Sequence, residues 1–296
     1  MSPSEFGGET IDLHCHGGAG FYFSDPNPEN VSKAIAFHMK HGSGEIIASL
    51  VTEEIAELKK QIQNLLPFCE DRSIAGIHLE GPYLARTRCG AHNPAFLKSP
   101  TIEELKSLLD IGSGNIKMIT IAPEIPEGLN AISYLRSVGV IAAIGHSAGN
   151  YEDAKRAVDA GAQIVTHFSN GMNKLADGAR TFATALLFES DILLELILDR
   201  HHVSENDLGT IFNHAANRLV FITDAMSAAG QEDGEYTIGA LEVQVRDGVA
   251  RLKSNGSLAG STLTMDGAIT NARKIGITPE IIRKSTIENP RNLLFG

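Results

Sequence analysis

Five apolar segments of this sequence end in histidine or acidic residues of the kinds that bind metal ions. The segments have the composition of buried strands, and the residues at their ends are His14 and His16, Glu80, His146, His167 and Asp224. An imidazole or a carboxylate is costly inside an apolar sheet, so these side chains are expected where the carboxyl ends of parallel strands converge. Two imidazoles and one carboxylate, with a fourth position left for water, form the ligand set of a catalytic zinc ion. The sequence therefore predicts a hydrolytic metal site at the mouth of a barrel.

Glu80, His146 and His167 supply that ligand set, and the other three residues add to it. His14 and His16 are two positions apart on a strand, so both side chains lie on one face and could hold the same ion. A chance pairing of two histidines is the alternative. Asp224 suits a general base that takes a proton from water and returns it to a leaving group, although a helix cap is the plainer interpretation.

Alternating strand and helix patterns position these residues. Near-continuous runs of Ile, Val, Leu and Ala are typical of parallel strands covered on both faces, and they predict strands at 10–16, 45–52, 74–80, 116–122, 140–146, 163–168, 193–198 and 218–224. Helical spacing and capping signals predict helices at 28–41, 53–69, 101–110, 129–138, 150–160, 182–189, 204–217 and 279–286.

Eight such units predict a (β/α)8 TIM-type barrel formed by residues 1–296 as a single domain. A doubly wound sheet is the alternative, but neither a dinucleotide-binding glycine motif nor a phosphate-binding loop follows any predicted strand. One segment, 235–252, alternates with a period of two around Arg246-Asp247-Gly248. This pattern predicts a β-hairpin inserted after the eighth strand.

The bulk composition limits the classes of partner. The formal net charge of −11 disfavours nucleic acid and anionic membranes, while leaving room for an anionic small molecule in a local basic pocket. Three cysteines, Cys15, Cys69 and Cys89, match no zinc-ribbon spacing and cannot form a closed disulfide framework, which favours a reducing compartment. The sequence has no signal-peptide pattern and no apolar run long enough to span a membrane, so a soluble, cytoplasmic protein is expected.

Several short blocks give the sequence a family resemblance. They read DLHCHG (12–17), HLEGPY (78–83), GAHNP (90–94), GHS (145–147), THFSNGM (166–172), TDAM (223–226) and LAGS (258–261). In these blocks the sequence resembles the N-acetylglucosamine-6-phosphate deacetylases of the metal-dependent amidohydrolase superfamily. The resemblance runs from residue 11 to the end of the sequence. It implies removal of acetate from N-acetylglucosamine 6-phosphate by a metal-activated water.

The resemblance also implies roles for the predicted site residues. Glu80, His146 and His167 would hold the main metal, and Asp224 would be the general acid and base. Some members keep the His-x-His pair and bind a second ion, so His14 and His16 imply a second site. The His/Glu ligand set favours zinc, with iron, manganese and cobalt as alternatives.

Substrate contacts are implied by the resemblance as well. A histidine near the acetyl carbonyl of the substrate matches His202, which would assist catalysis. The remaining residues implied to bind the substrate are Ala91, His92, Asn170, Gly171, Arg180 and Ser261.

The sequence departs from the family pattern at two places. The family carries an Arg-Glu-Pro-Gly stretch whose arginine binds phosphate, often across a dimer interface. Here the stretch reads KLADGART over 174–181, with Arg180 displaced from that position. The family also has a small β-sandwich formed before the first barrel strand and after the last helix, and we expect it to be largely missing here. A homodimer remains implied.

Two other functions stay open from the sequence. The displaced Arg180 leaves room for an amidohydrolase that acts on another N-acetyl sugar or on an N-acyl amino acid. The missing sandwich leaves room for a non-catalytic sugar-phosphate binder. The sequence keeps every predicted metal ligand and Asp224, which favours the deacetylase function.

Overall fold

The computed structural model describes residues 9–175 and 180–296. Its strands are β1 (Ile11–Cys15), β2 (Gly17–Gly18), β3 (Phe21–Tyr22), β4 (Glu45–Val51), β5 (Gly76–Glu80), β6 (Ile116–Ile121), β7 (Ile141–Ile144), β8 (Ile164–Val165), β9 (Leu193–Ile197), β10 (Leu219–Ile222), β11 (Gly234–Ile238), β12 (Leu241–Arg246) and β13 (Val249–Leu252). Its α-helices are α1 (Pro28–Lys40), α2 (Ile55–Glu70), α3 (Ile102–Gly112), α4 (Gly128–Ser137), α5 (Tyr151–Asp159), α6 (Phe182–Phe188), α7 (Glu205–Ala215), α8 (Met265–Lys274), α9 (Pro279–Arg283) and α10 (Asn289–Phe295).

Eight parallel strands lie side by side in the order β1-β4-β5-β6-β7-β8-β9-β10. Helices connect them, and the strands are buried along most of their length, which explains their apolar composition. All eight strands predicted from the sequence are present, and the (β/α)8 prediction is confirmed. The carboxyl ends of all eight strands therefore point to one face of the barrel, where the predicted site residues lie.

Backbone and side-chain hydrogen bonds help to close the barrel between its last and first strands. The backbone N–H of Asp224 donates to the carbonyl oxygen of His14 (2.8 Å), and that of His16 donates to Ala225 (2.8 Å). The Thr223 hydroxyl donates to the buried carboxylate of Asp12 (2.6 Å). These bonds hold the residues around Asp224 beside the His-x-His strand.

Local signals in the sequence fix several helix starts. Asn150 caps α5 with a capping box completed by Asp153, and Thr101 caps α3. Helix α8 was not predicted from the sequence. Its buried residues Met265, Ala268, Ile269 and Ala272 have helical spacing, but two of them are alanines and give a weak apolar pattern.

The predicted hairpin after β10 is present, with its turn at Arg246-Asp247-Gly248, and a further strand, β11, makes the segment a three-stranded antiparallel sheet. β11 pairs with β12, and β12 pairs with β13. The missed turn is Gly239-Ala240, where Gly239 takes a left-handed conformation with φ of 52°. The sheet has its own small apolar core around Val243 and Val245, and Ile238 extends from it to the candidate site.

Cys15, Cys69 and Cys89 are free thiols. Among the described residues, no helix combines the length and the apolar character needed to cross a membrane.

Candidate active site

Glu80, His146 and His167 come together at the mouth of the barrel. Glu80 is the last residue of β5, and each histidine lies two residues beyond the end of its strand. Oε1 of Glu80 lies 3.0 Å from Nε2 of His146 and 2.9 Å from Nε2 of His167, and the two Nε2 atoms are 3.0 Å apart. Three potential ligand atoms from distant parts of the sequence therefore surround one point.

An unusual backbone conformation aims these side chains. His146, His167 and Asp224 all have positive φ angles, of 47°, 28° and 49°. A residue other than glycine in this region costs about 1–3 kcal/mol, and such strain clusters at functional sites. Gly171 packs so closely that a Cβ there would lie 3.0 Å from Nδ1 of His146, so a larger residue would displace that ring.

The hydrogen bonds of His146 show that two acceptor atoms face each other in this cluster, which favours a bound cation. Nδ1 of His146 donates to the carbonyl oxygen of Arg88 (2.7 Å), which leaves the lone pair of Nε2 facing the carboxylate of Glu80. Two acceptors at 3.0 Å repel each other unless a positive charge lies between them. Ligand atoms of a tetrahedral zinc ion are roughly 3.3 Å apart, given Zn–N distances of about 2.0–2.1 Å. The three residues thus fit a divalent metal ion.

A second group of potential ligands faces the other oxygen of Glu80. Nε2 of His16 lies 3.2 Å from Glu80 Oε2 and 3.3 Å from Asp224 Oδ1. Nε2 of His14 lies 3.5 Å from each of the same oxygens and 3.1 Å from Nε2 of His16. The His14, His16 and Asp224 ligand atoms could also hold a metal ion, and Glu80 lies between the two groups.

Both carboxylates of the site are ionised at neutral pH. Burial is the largest influence on the pKa of Asp224 and acts to raise it, but the hydrogen bond with His16 and the charges of neighbouring histidines lower it to about 2. Burial likewise acts to raise the pKa of Glu80, and His14 and His92 hold it well below its usual range. Ionised oxygens are what metal binding and proton abstraction require.

Two further histidines border the cluster, each held in one orientation. His92 accepts a hydrogen bond at Nδ1 from the backbone N–H of Thr52 (3.2 Å), so its other nitrogen carries the proton and faces Glu80 Oε2 at 3.3 Å. His202 donates from Nδ1 to Oδ2 of Asp199 (2.6 Å). Asp199 had no predicted role, although it follows an apolar run and lies three residues before His202.

A cavity of about 360 Å³ opens above these residues. The predicted site residues that line it are His16, Glu80, Ala91, His92, His146, His167, Asn170, Gly171, His202 and Asp224. His14 lies beneath, with none of its surface exposed to solvent. The structure therefore brings most of the predicted site together at a single opening.

Comparisons with known proteins identify the family. No family model matches the chain. A curated N-acetylgalactosamine-6-phosphate deacetylase of Escherichia coli O157:H7 is 35% identical over 289 residues, which cover 96% of this chain and 76% of the relative. The N-acetylglucosamine-6-phosphate deacetylase of Lysinibacillus sphaericus is 34% identical, over 90% of this chain and 70% of the relative. The chain belongs to the amino-sugar-6-phosphate deacetylase family.

Solved structures agree with this family assignment. The N-acetyl-D-glucosamine-6-phosphate deacetylase of Mycobacterium smegmatis aligns with a TM-score of 0.92 at 36% identity, over 97% of this chain and 77% of that one. A mutant of the same protein has been solved in complex with N-acetyl-D-glucosamine-6-phosphate. This chain is accordingly a metal-dependent amidohydrolase, an enzyme of the deacetylase family.

Two of the residues implied to bind the substrate do not line the cavity. Arg180 is exposed, forms an ion pair with Glu152 (2.6 Å) and stacks over the ring of Tyr151. Residues 176–179 of the same stretch lie outside the described residues. Ser261 is buried behind Asp224 and donates from its hydroxyl to the carbonyl oxygen of Thr223 (2.6 Å), so it supports the backbone there.

Two cationic residues that the sequence analysis missed do line the cavity. Arg88 precedes the GAHNP block and donates to the side chain of Asn173 (2.5 Å). Lys174 lies two residues after the THFSNGM block. Each lies next to a family block, and this adjacency was the available sequence signal.

Proposed function

We propose that this deacetylase-family chain hydrolyses the N-acetyl group of N-acetylglucosamine 6-phosphate, giving glucosamine 6-phosphate and acetate. The observation that carries the proposal is the convergence of Glu80, His146 and His167 on one point, beside Asp224, in an open cavity. The M. smegmatis structure with N-acetyl-D-glucosamine-6-phosphate supports the choice of substrate. Residues 1–296 act in this proposal as one catalytic barrel domain.

The proposed metal is zinc, bound chiefly by Glu80, His146 and His167. A second, weaker site is proposed at His14 and His16, with Asp224 and the other oxygen of Glu80 in reach. A bound divalent ion polarises a carbonyl oxygen and makes a nearby water more acidic.

Asp224 is the proposed general acid and base. Its low pKa keeps it ionised, so it can accept the proton of the attacking water. Water adds its oxygen to the acetamide carbon, the carbon–nitrogen bond breaks, and Asp224 returns the proton to the departing amine. His202, held by Asp199, faces the cavity and in its protonated form would donate from Nε2 to the developing oxyanion.

Arg88 and Lys174 are the proposed partners of the substrate phosphate. They are the cationic residues among the described lining of the cavity, and arginine suits two-point recognition of phosphate. Ala91, His92, Asn170 and Gly171 line the same cavity and are proposed to contact the sugar. Arg180 contributes in this proposal only if a second chain brings it to the site.

The galactosamine epimer is a specific second candidate, because the E. coli O157:H7 relative is an N-acetylgalactosamine-6-phosphate deacetylase. The comparisons do not favour an N-acyl amino acid substrate or a non-catalytic binder.

The proposal further includes a homodimer in the cytoplasm. Light scattering of the purified protein measures its molar mass in solution, and the mass of a single chain would contradict the proposed dimer.

Acetate release is the direct test. The zinc-loaded protein should release acetate from N-acetylglucosamine 6-phosphate faster than from N-acetylglucosamine, and a chelator should abolish the rate until zinc is restored. The galactosamine 6-phosphate epimer serves as the competing substrate. A preference for the unphosphorylated sugar, or a rate that survives complete metal removal, would reject the proposal.

A further inference from the structure

Glu195 is a buried carboxylate in the middle of a barrel strand. It lies in β9 between apolar neighbours, and none of its surface is exposed to solvent. Burying a carboxylate is expensive unless specific donors face it. A leucine at this position would suit the strand better, so the contacts of the carboxylate must explain its presence.

One oxygen of Glu195 contacts both groups of potential metal ligands. Oε2 accepts a hydrogen bond from Nδ1 of His14 (3.0 Å) and another from the backbone N–H of His167 (3.0 Å). Oε1 is buried and has no hydrogen-bond partner among the described residues. The carboxylate of Glu195 therefore links the His14 side chain to the backbone of His167.

The first contact fixes the proton of His14. Because a carboxylate oxygen only accepts, Nδ1 of the imidazole carries a proton, and Nε2, which faces Glu80 and Asp224, is the atom that would bind a metal ion. Carboxylates that orient metal-binding histidines in this way strengthen the bond between histidine and metal.

The second contact holds a strained backbone. His167 has a φ of 28°, and its N–H is directed to Glu195 rather than into the ladder of the sheet. The carbonyl oxygen of Glu195 also accepts from the N–H of Phe168 (2.8 Å), so side chain and backbone of one residue fix the turn that carries His167.

We propose that Glu195 is a positioning residue that orients both ligand groups of the metal centre: His14 through its ring and His167 through its backbone. The inference rests on the proposed metal site. Glu195 is fully buried and does not line the cavity, so its effect on the site should act through zinc binding and be separable from the stability of the barrel.

Zinc affinity of the Glu195→Gln variant tests the proposal. Glutamine keeps the shape and one acceptor but removes the charge, so zinc affinity, measured by competition with a chromogenic chelator, should fall by about 10- to 100-fold. The exposed Glu103→Gln variant is the matched control and should bind zinc like the unaltered protein. Affinities within about twofold of the unaltered protein in Glu195→Gln would overturn the proposal.

A double variant tests whether Glu195 acts on zinc binding through the ring of His14. In a His14→Ala chain, the ring that Glu195 orients is absent, so adding Glu195→Gln should lower zinc affinity less than it does in the unaltered chain. Equal losses in both backgrounds would contradict the route through the His14 ring.

Unfolding of the metal-free protein separates positioning from a structural role. Urea unfolding with a chelator present should give nearly the same free energy for Glu195→Gln and the unaltered chain, while the stabilisation added by zinc shrinks. Glu195→Asp, which keeps the charge but withdraws it from His14, provides a second variant. If both variants fail to fold, Glu195 serves the barrel and the proposal is overturned. If the unaltered chain binds no zinc, the proposed function fails instead.

Discussion

Oδ2 of Asp199 lies 2.6 Å from Nδ1 of His202, and the same carboxylate also accepts from the backbone N–H groups of His201 and His202. Burial acts to raise the pKa of Asp199, but its bonds and charge interaction with His202 lower it below its ordinary value. The carboxylate is therefore ionised and fixes both the tilt and the Nδ1 proton of His202, which presents Nε2 to the cavity.

Asp199→Asn should lower kcat with little change in KM. A hydrogen bond to a charged group contributes roughly 1.5–3 kcal/mol, so we expect kcat to fall by about 10- to 100-fold. Steady-state acetate release at saturating substrate measures this. The His202→Ala variant is the reference, because Asp199→Asn should add little in that background. An unchanged kcat in the single variant would show that the orientation of His202 is unimportant.

Asp224→Asn should retain most of its zinc and lose most of its turnover. General acid and base groups typically contribute about 10²- to 10⁴-fold, and asparagine cannot accept the proton of the water. Metal content by elemental analysis and kcat by acetate release are measured on the same sample, with the exposed Asp191→Asn as control. Turnover near that of the unaltered chain would remove Asp224 from the mechanism.

The barrel could be predicted because its strands are apolar on both faces. Most strands of the sheet appear in the sequence as short runs rich in Ile, Val, Leu and Ala, and burial by helices is the physical reason. The three-stranded insertion was only partly predicted, since its first turn, Gly239-Ala240, carries a single glycine. Helix α8 escaped because alanines bury little area and mark a helical face weakly.

The potential metal ligands could be predicted because they come at the ends of apolar runs, where the strand ends of a barrel converge. Glu195 could not, because it lies inside its strand, and only the fold shows that His14 and His167 donate to it. The sequence indicated Arg180 as the phosphate partner and gave no sign of Arg88, because sequence distance does not show which side chain reaches the cavity. In the structure Arg88 lines the cavity, whereas Arg180 pairs with Glu152 and stacks over the ring of Tyr151.

Phosphate recognition should depend on Arg88 more than on Arg180. Loss of a charge-assisted contact of roughly 1.5–3 kcal/mol should raise KM for the phosphorylated substrate by about 10- to 100-fold in Arg88→Ala. The rate on unphosphorylated N-acetylglucosamine should change far less, which identifies the phosphate as the group recognised. Arg180→Ala should leave KM within about twofold. A larger effect in Arg180→Ala than in Arg88→Ala would assign the phosphate to Arg180, supplied by a second chain.

Asp12 should make the barrel less stable as the pH rises toward neutrality. Burial, its largest influence, raises the pKa of Asp12 from 3.8 to about 6, against the lowering effect of the hydrogen bonds from Thr223 and His14. A pKa raised in the folded state contributes stability below the unfolded value of 3.8, and this contribution is lost as the pH rises through about 6. The loss approaches about 3 kcal/mol, since each unit of pKa corresponds to about 1.4 kcal/mol.

Urea unfolding of the unaltered chain and of Asp12→Asn, measured at several pH values between 4 and 7 (roughly the range in which Asp12 titrates) with metal removed, isolates this effect. Every other titrating group is common to both proteins, so it largely cancels in the difference between their free energies of unfolding. The unaltered chain should lose stability relative to Asp12→Asn across this interval and then level off above about pH 6. A difference that stays constant, or that changes in favour of the unaltered chain as the pH rises, would show that Asp12 is already ionised in the closed barrel and that its bonds with Thr223 outweigh the cost of burial.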